Sequence, residues 1–429
     1  MIDERTEKLQ NFLDASRSVY HAVENLRQEM EKNGYTRLDE GAAWDLVPGG
    51  KYYLTRGGSA ILAFRIPQCE NPRGFLLSAA HSDRPTFKIK ENGEMESKYI
   101  RMATERYGGM LMAPWLDRPL SVAGRVLVET ENGAKTQLLD IDRDLMLIPN
   151  VAIHMNRKAN DGYAYNPCSD TVPLLGSAEA KGKFQKLLEE TAGGKILGHD
   201  LYLYIRQKSS VWGIDEEFIS SAALDDLECA WGCTQGFLEA GESRSIPVVC
   251  IFDCEEVGSS SVQGAASKLL IDVLERICQA RKLDLNRMLS QSFMISADNA
   301  HALHPNHPEY ADAANAPLVN GGIVLKFNAG LRYTTDGVAA ALLRTVCRKA
   351  SVPVQTYYNR ADLPGGSTLG NISLGHVSVP TADIGMAQLA MHSCYETAGV
   401  KDAGYLIDAM KTYYSSTLTV TADGEYSLT

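Results

Sequence analysis

Two parts of this chain alternate buried-strand and helical patterns, and that alternation is the strongest constraint on its fold. Near the N-terminus, "KYYLTRGGSAILAFRI" predicts a β-hairpin that turns at Gly57-Gly58, and "GFLLSAAHSDRP" predicts a buried strand. From about Ile219 onward, apolar runs such as "IPVVCIF" are interleaved with segments of helical periodicity such as "DGVAAALLRTVCRKAS". Strand–helix alternation of this kind is typical of an α/β sheet flanked by helices.

The segment between these two parts has a different pattern. From about Glu91 to Asp215, short alternating runs such as "SVAGRVLVET" are separated by turn signals, which is typical of an all-β unit. A chain of 429 residues is also too long for one ordinary core. We therefore predict a discontinuous α/β domain, residues 1–92 plus 217–429, which would carry any site formed at the ends of its strands, interrupted by an inserted β-rich domain, residues 93–216.

Charge and composition narrow the range of partners. The net charge is −11, which argues against nucleic acid or an anionic membrane as the main partner, because both favour basic surfaces. No apolar run approaches the length of a membrane span, and the N-terminus is charged from its third residue, unlike a signal peptide. The nine cysteines include no CxxC spacing, which favours reduced thiols. These features predict a cytoplasmic protein with no nucleic-acid or membrane partner.

Ionisable residues recur where the predicted strands end. "HSD" places His81 and Asp83 two positions apart, so both side chains project from the same face of an extended chain. Asp298 follows the apolar run "FMIS", and His392 follows the apolar residues of "LAM". Taken alone, the His-x-Asp pair has a plainer explanation, because such pairs also occur in surface loops.

Two pairs of adjacent carboxylates are harder to explain without a ligand. Asp225-Asp226 begins a predicted helix, where solvated carboxylates favoured by the helix dipole are the alternative explanation. Glu255-Glu256 follows a buried strand, although isolated buried carboxylates are among the costliest groups to desolvate. A bound metal explains this pair, since one glutamate can ligate it while the other takes a proton from the water it activates.

The residue types also indicate which metal the chain would bind. Two histidines with several carboxylates form a mixed nitrogen and oxygen set, which suits zinc, manganese or cobalt better than calcium. The motifs HExxH, GxSxG, GxxxxGK[ST] and GxGxxG do not occur in the sequence. Their absence argues against zincins, serine hydrolases, nucleotide triphosphatases and dinucleotide-binding enzymes.

The order of the motifs along the chain resembles one known family. The matching segments are "FLDASRSVYHAV", "SAAHSDRP", "YGGMLMAPWLDRPLSVAGR", "LDDL", "FDCEEVGSSS", "SADNAHALHPN", "KFNAGLRYTTD", "DLPGGSTLG" and "TADIGMAQLAMHSCYE". Together they are similar to the aspartyl aminopeptidase family of dinuclear zinc exopeptidases over essentially the whole chain. The resemblance implies a central mixed sheet of the zinc exopeptidase type. It also implies two divalent metal ions per subunit and removal of N-terminal Asp or Glu from peptide substrates.

The resemblance further implies roles for individual residues. Five of them would hold the metals: His81 and Asp298 one zinc ion, Glu256 and His392 the other, and Asp225 both. Glu255 would be the general base that activates a metal-bridging hydroxide for attack on the first peptide carbonyl. Asp83 would orient the ring of His81.

Substrate recognition and assembly are implied in the same way. The insert would be a dimerisation and lid domain, and His154 within it would reach the active site of a neighbouring subunit in a tetrahedral dodecamer. The pocket for the first side chain would be lined by His301, Lys326, Tyr333, Ser367 and Met391. A lysine and a histidine facing that pocket favour an acidic side chain. The alternative for Lys326 is a surface cation beside a strand.

Three positions depart from the family pattern, and two other functions remain open. Asp226 stands where the family usually has Asn, Arg84 replaces a small residue, and Gly365 occupies a position that is often Cys. We expect Arg84 and Asp226 to lie close enough to shift metal choice or substrate preference. The other functions are a deacylase of N-acyl amino acids on the same fold and a non-catalytic assembly or carrier protein. Replacing His154 by alanine would be harmless in the deacylase, and the intact ligand set argues against the carrier.

Overall fold

The structure is a computed structural model that describes residues 3–363, 365–422 and 424–429. The described helices are α1 Glu4–Ala15, α2 Val19–Lys32, α3 Lys183–Ala192, α4 Leu224–Glu239, α5 Leu269–Arg281, α6 Leu285–Leu289, α7 Gly337–Ala350, α8 Leu369–Ser373 and α9 Asp402–Tyr414. The first strands are β1 Thr36–Arg37, β2 Lys51–Arg56, β3 Ala60–Arg65, β4 Phe75–His81, β5 Thr86–Glu96, β6 Tyr99–Tyr107, β7 Leu120–Thr130, β8 Gly133–Asp140, β9 Leu174–Ser177, β10 Ile196–Ile205 and β11 Ser210–Trp212. The later strands are β12 Phe218–Ser221, β13 Ile246–Phe252, β14 Phe293–Ala297, β15 Ala300–His301, β16 Ile323–Phe327, β17 Val354–Tyr358, β18 Thr381–Gly385, β19 Ala387–Leu389, β20 Glu396–Gly399, β21 Leu418–Ala422 and β22 Glu425–Leu428.

A nine-stranded mixed sheet forms the centre of the fold, in the order β1-β2-β3-β13-β4-β14-β18-β16-β17. Strands β13, β4, β14 and β18 are neighbours and run parallel to one another. Every residue of β4, β13 and β14 is buried. Continuous burial is expected for parallel strands that are covered on both faces, and it explains their unbroken apolar sequences.

Helices cover both faces of this sheet. Alternate residues of β4 face opposite sides: Leu76 and Ala80 belong to the core formed with α1, α2, α4, α7 and α9, whereas Leu77 and Ala79 belong to the core formed with α5, α6 and α8. The predicted α/β class, a central mixed sheet flanked by helices, is confirmed. Within the described residues, no helix combines the length and the apolar character needed to cross a membrane.

The middle of the chain forms a second, six-stranded sheet in the order β8-β7-β10-β5-β6-β9. The prediction of an all-β insert missed one element, because α3 lies among these strands. Its buried residues Phe184, Leu188 and Ala192 recur every four positions, which is a helical period. The sheet begins at Thr86, within the segment assigned from sequence to the catalytic domain, and the division into two domains stays a prediction.

Several local predictions are confirmed, and one helix is shorter than expected. β2 and β3 form the hairpin around Gly57-Gly58, and α7 occupies the predicted helical segment "DGVAAALLRTVCRKAS". The pattern of "DAGYLIDAMKTYYSSTL" likewise predicts a helix, which is α9. By contrast, the pattern of "SVQGAASKLLIDVLERICQARK" predicts a helix from Ser261, whereas α5 begins at Leu269, after a series of turns. Gly264 lies in those turns, where a Cβ atom would collide with the backbone of Ser259, so the close approach of these two segments requires glycine.

Candidate metal centre

The strand order of the central sheet explains why four of the predicted metal-centre residues lie close together. His81 is the last residue of β4, Asp298 follows β14 directly, and Glu255 and Glu256 form a single 3-10 turn just after β13. These strands are parallel neighbours, so their carboxyl ends, and the residues that follow them, meet at one edge of the sheet.

Asp225 lies between two histidines from distant parts of the chain. Its Oδ1 atom is 3.5 Å from Nε2 of His81, and its Oδ2 atom is 3.6 Å from Nε2 of His392. Nε2 of His392 is also 3.3 Å from Oε2 of Glu256. One carboxylate thus faces one imidazole with each of its oxygens, which is the arrangement required of a ligand that bridges two cations.

The donor atoms form overlapping groups whose members lie within 4.8 Å of one another. The groups are His81, Asp225, Asp226 and Asp298; His81, Glu255 and Glu256; and Asp225, Glu256 and His392. Each group mixes imidazole nitrogen with carboxylate oxygen, the donor types that zinc accepts. Buried oxygens of Asp225, Asp226 and Glu256 also have no hydrogen-bond partner within the described residues. Because buried unpaired anionic oxygens are costly, these residues fit a divalent cation such as zinc.

The crowding of carboxylates affects their acidity. Burial, followed by the charge of Asp225, raises the pKa of Glu256 well above its usual range. Burial and the nearby charges of Asp298 and Asp83 raise the pKa of Glu255 to about 8. Both shifts have the direction expected when burial and like charges disfavour ionisation. A bound cation would offset that penalty, so a divalent metal fits the cluster.

Asp83 supports the turn that carries the two glutamates. Its carboxylate accepts the backbone N–H groups of Glu255 and Glu256, at 3.0 and 3.2 Å, and the hydroxyl of Tyr107 donates to it at 2.7 Å. Nδ1 of His81 lies 3.4 Å from the Asp83 carboxylate and 3.1 Å from its backbone oxygen. Asp83 therefore contacts both the His81 ring and the Glu255 turn. Sequence reasoning assigned no role to Tyr107, although this residue begins the quoted segment "YGGMLMAPWLDRPLSVAGR".

A cavity of 170 Å³ opens beside the cluster, and the five residues predicted to bind substrate all line it. They are His301, Lys326, Tyr333, Ser367 and Met391. Lys326 is only 2% exposed, so the alternative of a surface cation is wrong. Its ammonium donates to the backbone oxygens of Asp298 and Asn299, at 2.7 and 3.3 Å. Burial opposes its charge, but the nearby groups Asp298, Tyr333 and Asp383 together outweigh burial, and the pKa of Lys326 is raised.

His154 is the one predicted site residue that does not join this arrangement within the subunit. It lies in the exposed segment between β8 and β9 and is absent from the described lining of the 170 Å³ cavity. Apolar side chains beside it are also exposed, among them Ile153 and Met155, the latter 77% exposed. Its predicted action in a neighbouring subunit stays a prediction.

The three departures from the family pattern have different structural settings. The guanidinium of Arg84 donates to the backbone oxygens of Ser16 and Arg17, between α1 and α2, so it is directed to the N-terminal helices. Asp226 accepts the backbone N–H of His81 at 3.1 Å and is part of the donor cluster. Gly365 has a φ of +62°, and a Cβ atom there would collide with Asn359, which explains why cysteine is absent.

Comparison with known proteins decides the family. Residues 12–414 match the family described as "Aminopeptidase I zinc metalloprotease (M18)". This chain belongs to the M18 family. It is 42% identical over 425 residues to the "Probable M18 family aminopeptidase 2" of Clostridium novyi (strain NT), and the match covers 95% of this chain and 98% of the relative.

Solved structures of similar proteins agree with this M18 assignment. The Ape4 and Nbr1 complex contains a chain that matches with a TM-score of 0.92 and 34% identity, covering 96% of this chain and 85% of that one. The S. cerevisiae mApe1 dodecamer matches with a TM-score of 0.85 and 26% identity, covering 96% of each chain. The M18 protein is therefore a zinc metalloaminopeptidase, a hydrolase. The family favours this activity over the deacylase and the carrier considered from the sequence.

Proposed function

We propose that this M18 aminopeptidase removes acidic residues from the N-termini of peptides. The observation that carries the proposal is the buried cation of Lys326 in the cavity beside the donor cluster. Two of its three N–H bonds are directed to backbone oxygens, so a third is left for a ligand. A carboxylate in the cavity would form a charge-assisted hydrogen bond with it. Desolvation in the cavity and the charge of Lys326 lower the pKa of His301, which favours a neutral imidazole that can donate to the same carboxylate.

In this proposal the subunit holds two divalent ions. His81 and Asp298 would hold one, Glu256 and His392 would hold the other, and Asp225 would be shared between them. Zinc is the expected metal, with manganese and cobalt as alternatives that accept the same donors. Bound metal supplies Lewis acidity, which polarises the peptide carbonyl and acidifies a water molecule.

Glu255 moves the proton in this proposal. Its carboxylate takes a proton from water, which yields the hydroxide that attacks the carbonyl of the first residue, and then returns the proton to the departing amine. Without metal, burial and neighbouring carboxylates raise the pKa of Glu255 to about 8, and bound cations would lower it, which favours the ionised carboxylate that accepts the proton. Asp83 fixes the position of Glu255 through the backbone N–H of Glu255.

Assembly completes the proposed function. The similar mApe1 protein is described as a dodecamer. We propose that this chain also forms a dodecamer built from dimers, with residues 93–216 as the dimerisation and lid domain. The exposed apolar residues around His154 support a partner there, because large exposed apolar side chains grouped together mark interaction surfaces. His154 would then act in the neighbouring subunit's site.

A panel of aminoacyl reporters, assayed with zinc, manganese and cobalt, tests the specificity and the metal. Asp and Glu reporters should be cleaved fastest, and a chelator should stop the reaction. Glu255→Gln should abolish turnover while the metal content measured by mass spectrometry stays unchanged, and Glu242→Gln, an exposed glutamate, is the matched control. Retained hydrolysis in Glu255→Gln contradicts the role of Glu255, and a preference for neutral residues contradicts the acidic specificity.

A further inference from the structure

A second and larger cavity adjoins the one that contains Lys326. It has a volume of 460 Å³ and shares His301, Tyr357 and Gly366 with the smaller cavity. The proposed function does not use it. A peptide whose first residue occupies the smaller cavity must place its following residues nearby, and a continuous cavity is the available space.

The wall of the larger cavity is rich in rings and has little free charge. Rings line it from His301, His304, His307, Tyr310, Tyr357 and Tyr358. Among the described lining residues, Arg360 carries the only permanent charge, and it forms two 2.6 Å bonds with Asp362. His307 is likewise paired with Glu309, at 2.9 Å. The charges at this wall are thus neutralised by partners within the protein.

The rings are held in place by one another. The His307 ring lies 5.4 Å from that of His304 and stacks on Tyr310 at 5.5 Å. On another part of the wall, Tyr358 stacks on Phe327 at 5.3 Å. Tyr310 nevertheless remains 61% exposed, so its ring can still contact a ligand. Ordered rings of this kind favour an aromatic or apolar side chain over a charged one.

We propose that this cavity binds an aromatic side chain of the peptide at the second or third position. The enzyme would then combine an acidic first residue with an aromatic residue downstream. This proposal rests on the proposed function for the first residue, and it adds a second determinant of substrate choice.

The test compares the dipeptides Asp-Phe, Asp-Ala and Asp-Lys, and the tripeptides Asp-Ala-Phe and Asp-Ala-Ala, with the metal-loaded enzyme. One aromatic stacking contact is expected to raise kcat/KM for a Phe peptide by about threefold to tenfold over its Ala counterpart. Tyr310→Ala should reduce that ratio toward one, whereas Tyr310→Phe, which keeps the ring, should preserve it. Tyr99→Ala removes an equally exposed tyrosine from the insert and is the matched control. Leu363→Ala, another exposed lining residue, repeats the test independently of Tyr310.

The outcomes separate this proposal from the proposed function. Equal kcat/KM for the Phe and Ala peptides at both positions overturns the aromatic subsite. A Phe to Ala ratio of kcat/KM that is unchanged in both Tyr310→Ala and Leu363→Ala, when both variants are folded, also overturns it. Failure to cleave any Asp or Glu peptide instead contradicts the acidic specificity. In that case the Phe and Ala peptides are made with whichever N-terminal residue the enzyme cleaves in the reporter panel. The aromatic subsite is then tested in the same way.

A different observation carries a second inference, about the residue Glu396. This side chain begins β20, is only 1% exposed and lies outside the groups of donor atoms. Its Oε2 atom accepts the backbone N–H of Asp225 at 3.0 Å, and its Oε1 atom accepts that of His392 at 2.8 Å. One buried carboxylate therefore joins two of the proposed ligands.

Regular secondary structure does not hold these two ligands in position. Asp225 has φ and ψ of −82° and 110°, which are not helical values, although it lies in the first turn of α4. His392 has a φ of +66°, in the left-handed region that side-chain-bearing residues rarely adopt. We infer that Glu396 is a positioning residue that sets the distance between Asp225 and His392 and so supports metal binding.

Replacing Glu396 by glutamine tests this inference, because the amide nitrogen cannot accept an N–H group and one of the two bonds is lost. The zinc affinity of the metal-free protein should fall about tenfold to hundredfold, measured by competition with a chromophoric chelator. The visible spectrum of bound Co²⁺ should also change. Glu396→Asp keeps both acceptor oxygens on a shorter side chain and should give an intermediate affinity.

Asp402→Asn is the matched control for this test. Asp402 is also buried and also accepts two backbone N–H groups, from Asn320 and Gly322 at 2.6 and 3.0 Å, but it is outside the donor groups. Both variants should lose stability, and only Glu396→Gln should lose zinc affinity. Unchanged affinity in Glu396→Gln, or an equal loss in Asp402→Asn, overturns the positioning role.

Discussion

Lys326 is the residue on which the proposed substrate preference depends. Its ammonium is buried 3.8 Å from the Asp298 carboxylate and 5.1 Å from the centre of the Tyr333 ring. A positive charge kept in a cavity by this environment attracts a negative ligand more strongly than the same charge in water would, because the local dielectric is low.

We expect Lys326→Met to remove the preference for acidic residues. Losing one hydrogen bond between charged groups should lower kcat/KM for an Asp reporter about tenfold to hundredfold. An Ala reporter should be affected much less, so the ratio of the two rates is the measurement. Lys98→Met, at an exposed position in the insert, is the control, and metal content is measured in both variants. An unchanged Asp to Ala ratio would show that another group selects the acid.

Glu228 is a buried carboxylate that makes stability depend on pH. One of its oxygens accepts a bond from Asn299 at 3.2 Å, and the other has no partner within the described residues. Burial, followed by the charge of Asp402, raises the pKa of Glu228 from 4.5 to about 8. The folded protein therefore holds this proton more tightly than the unfolded chain does.

The resulting prediction concerns the pH range between those two values. The stabilising contribution of protonated Glu228 is complete below pH 4.5 and is lost as the pH rises through about 8. Across this range the free energy of unfolding should fall by at most about 1.4 kcal/mol per pH unit because of Glu228. Urea unfolding at pH 6, 7 and 8 should show this slope in the unmodified protein and a flatter dependence in Glu228→Gln. Identical slopes in the two proteins would contradict the raised pKa.

At the scale of elements, the side chain of Arg84 links the N-terminal helices to the catalytic edge of the sheet. Arg84 follows the His81–Asp83 segment directly, and its guanidinium donates to Ser16 and Arg17, where α1 ends and α2 begins. The first of these bonds is 3.0 Å long. Arg84 therefore connects the position of β4 to that of the helix pair.

This geometry predicts that Arg84→Ala lowers stability and leaves metal binding unchanged. Losing hydrogen bonds from a charged donor to two partly buried carbonyls should cost about 2 kcal/mol in the free energy of unfolding. Arg84→Lys keeps the charge but makes fewer hydrogen bonds, so its free energy of unfolding should lie between those of the unmodified protein and Arg84→Ala. Thermal unfolding and zinc competition are measured together. A change in metal affinity without a change in Tm would instead support the influence on metal choice expected from the sequence.

At the scale of the whole molecule, the proposed active site is completed only by assembly. We expect His154→Ala to form an oligomer of normal mass, twelve times the 46.9 kDa chain, with normal metal content. Removing one polar group from the neighbouring subunit's site should lower kcat/KM about tenfold to hundredfold or more. Met155→Ala, in the same exposed segment, is the control. Analytical ultracentrifugation gives the mass, and full activity of His154→Ala would remove this residue from the mechanism.

The α/β class and most of the local elements, though not α3 or the start of α5, followed from the sequence alone. β4 and β13 were recognisable because strands buried on both faces need continuous apolar runs, a property of neighbouring residues. The donor types and the family were equally readable from short motifs. Glu396, by contrast, ends the quoted segment "LAMHSCYE", and nothing near it in sequence indicates that it contacts Asp225.

Only the tertiary structure decided which of these residues meet. The two oxygens of Asp225 face His81 and His392 because β4, α4 and the segment after β19 converge at one edge of the sheet. The burial of Lys326 and the direction of the Arg84 side chain were decided in the same way. Periodicity reports the environment of a segment over a few residues, whereas contacts between distant segments depend on strand order and helix packing, which no local pattern contains.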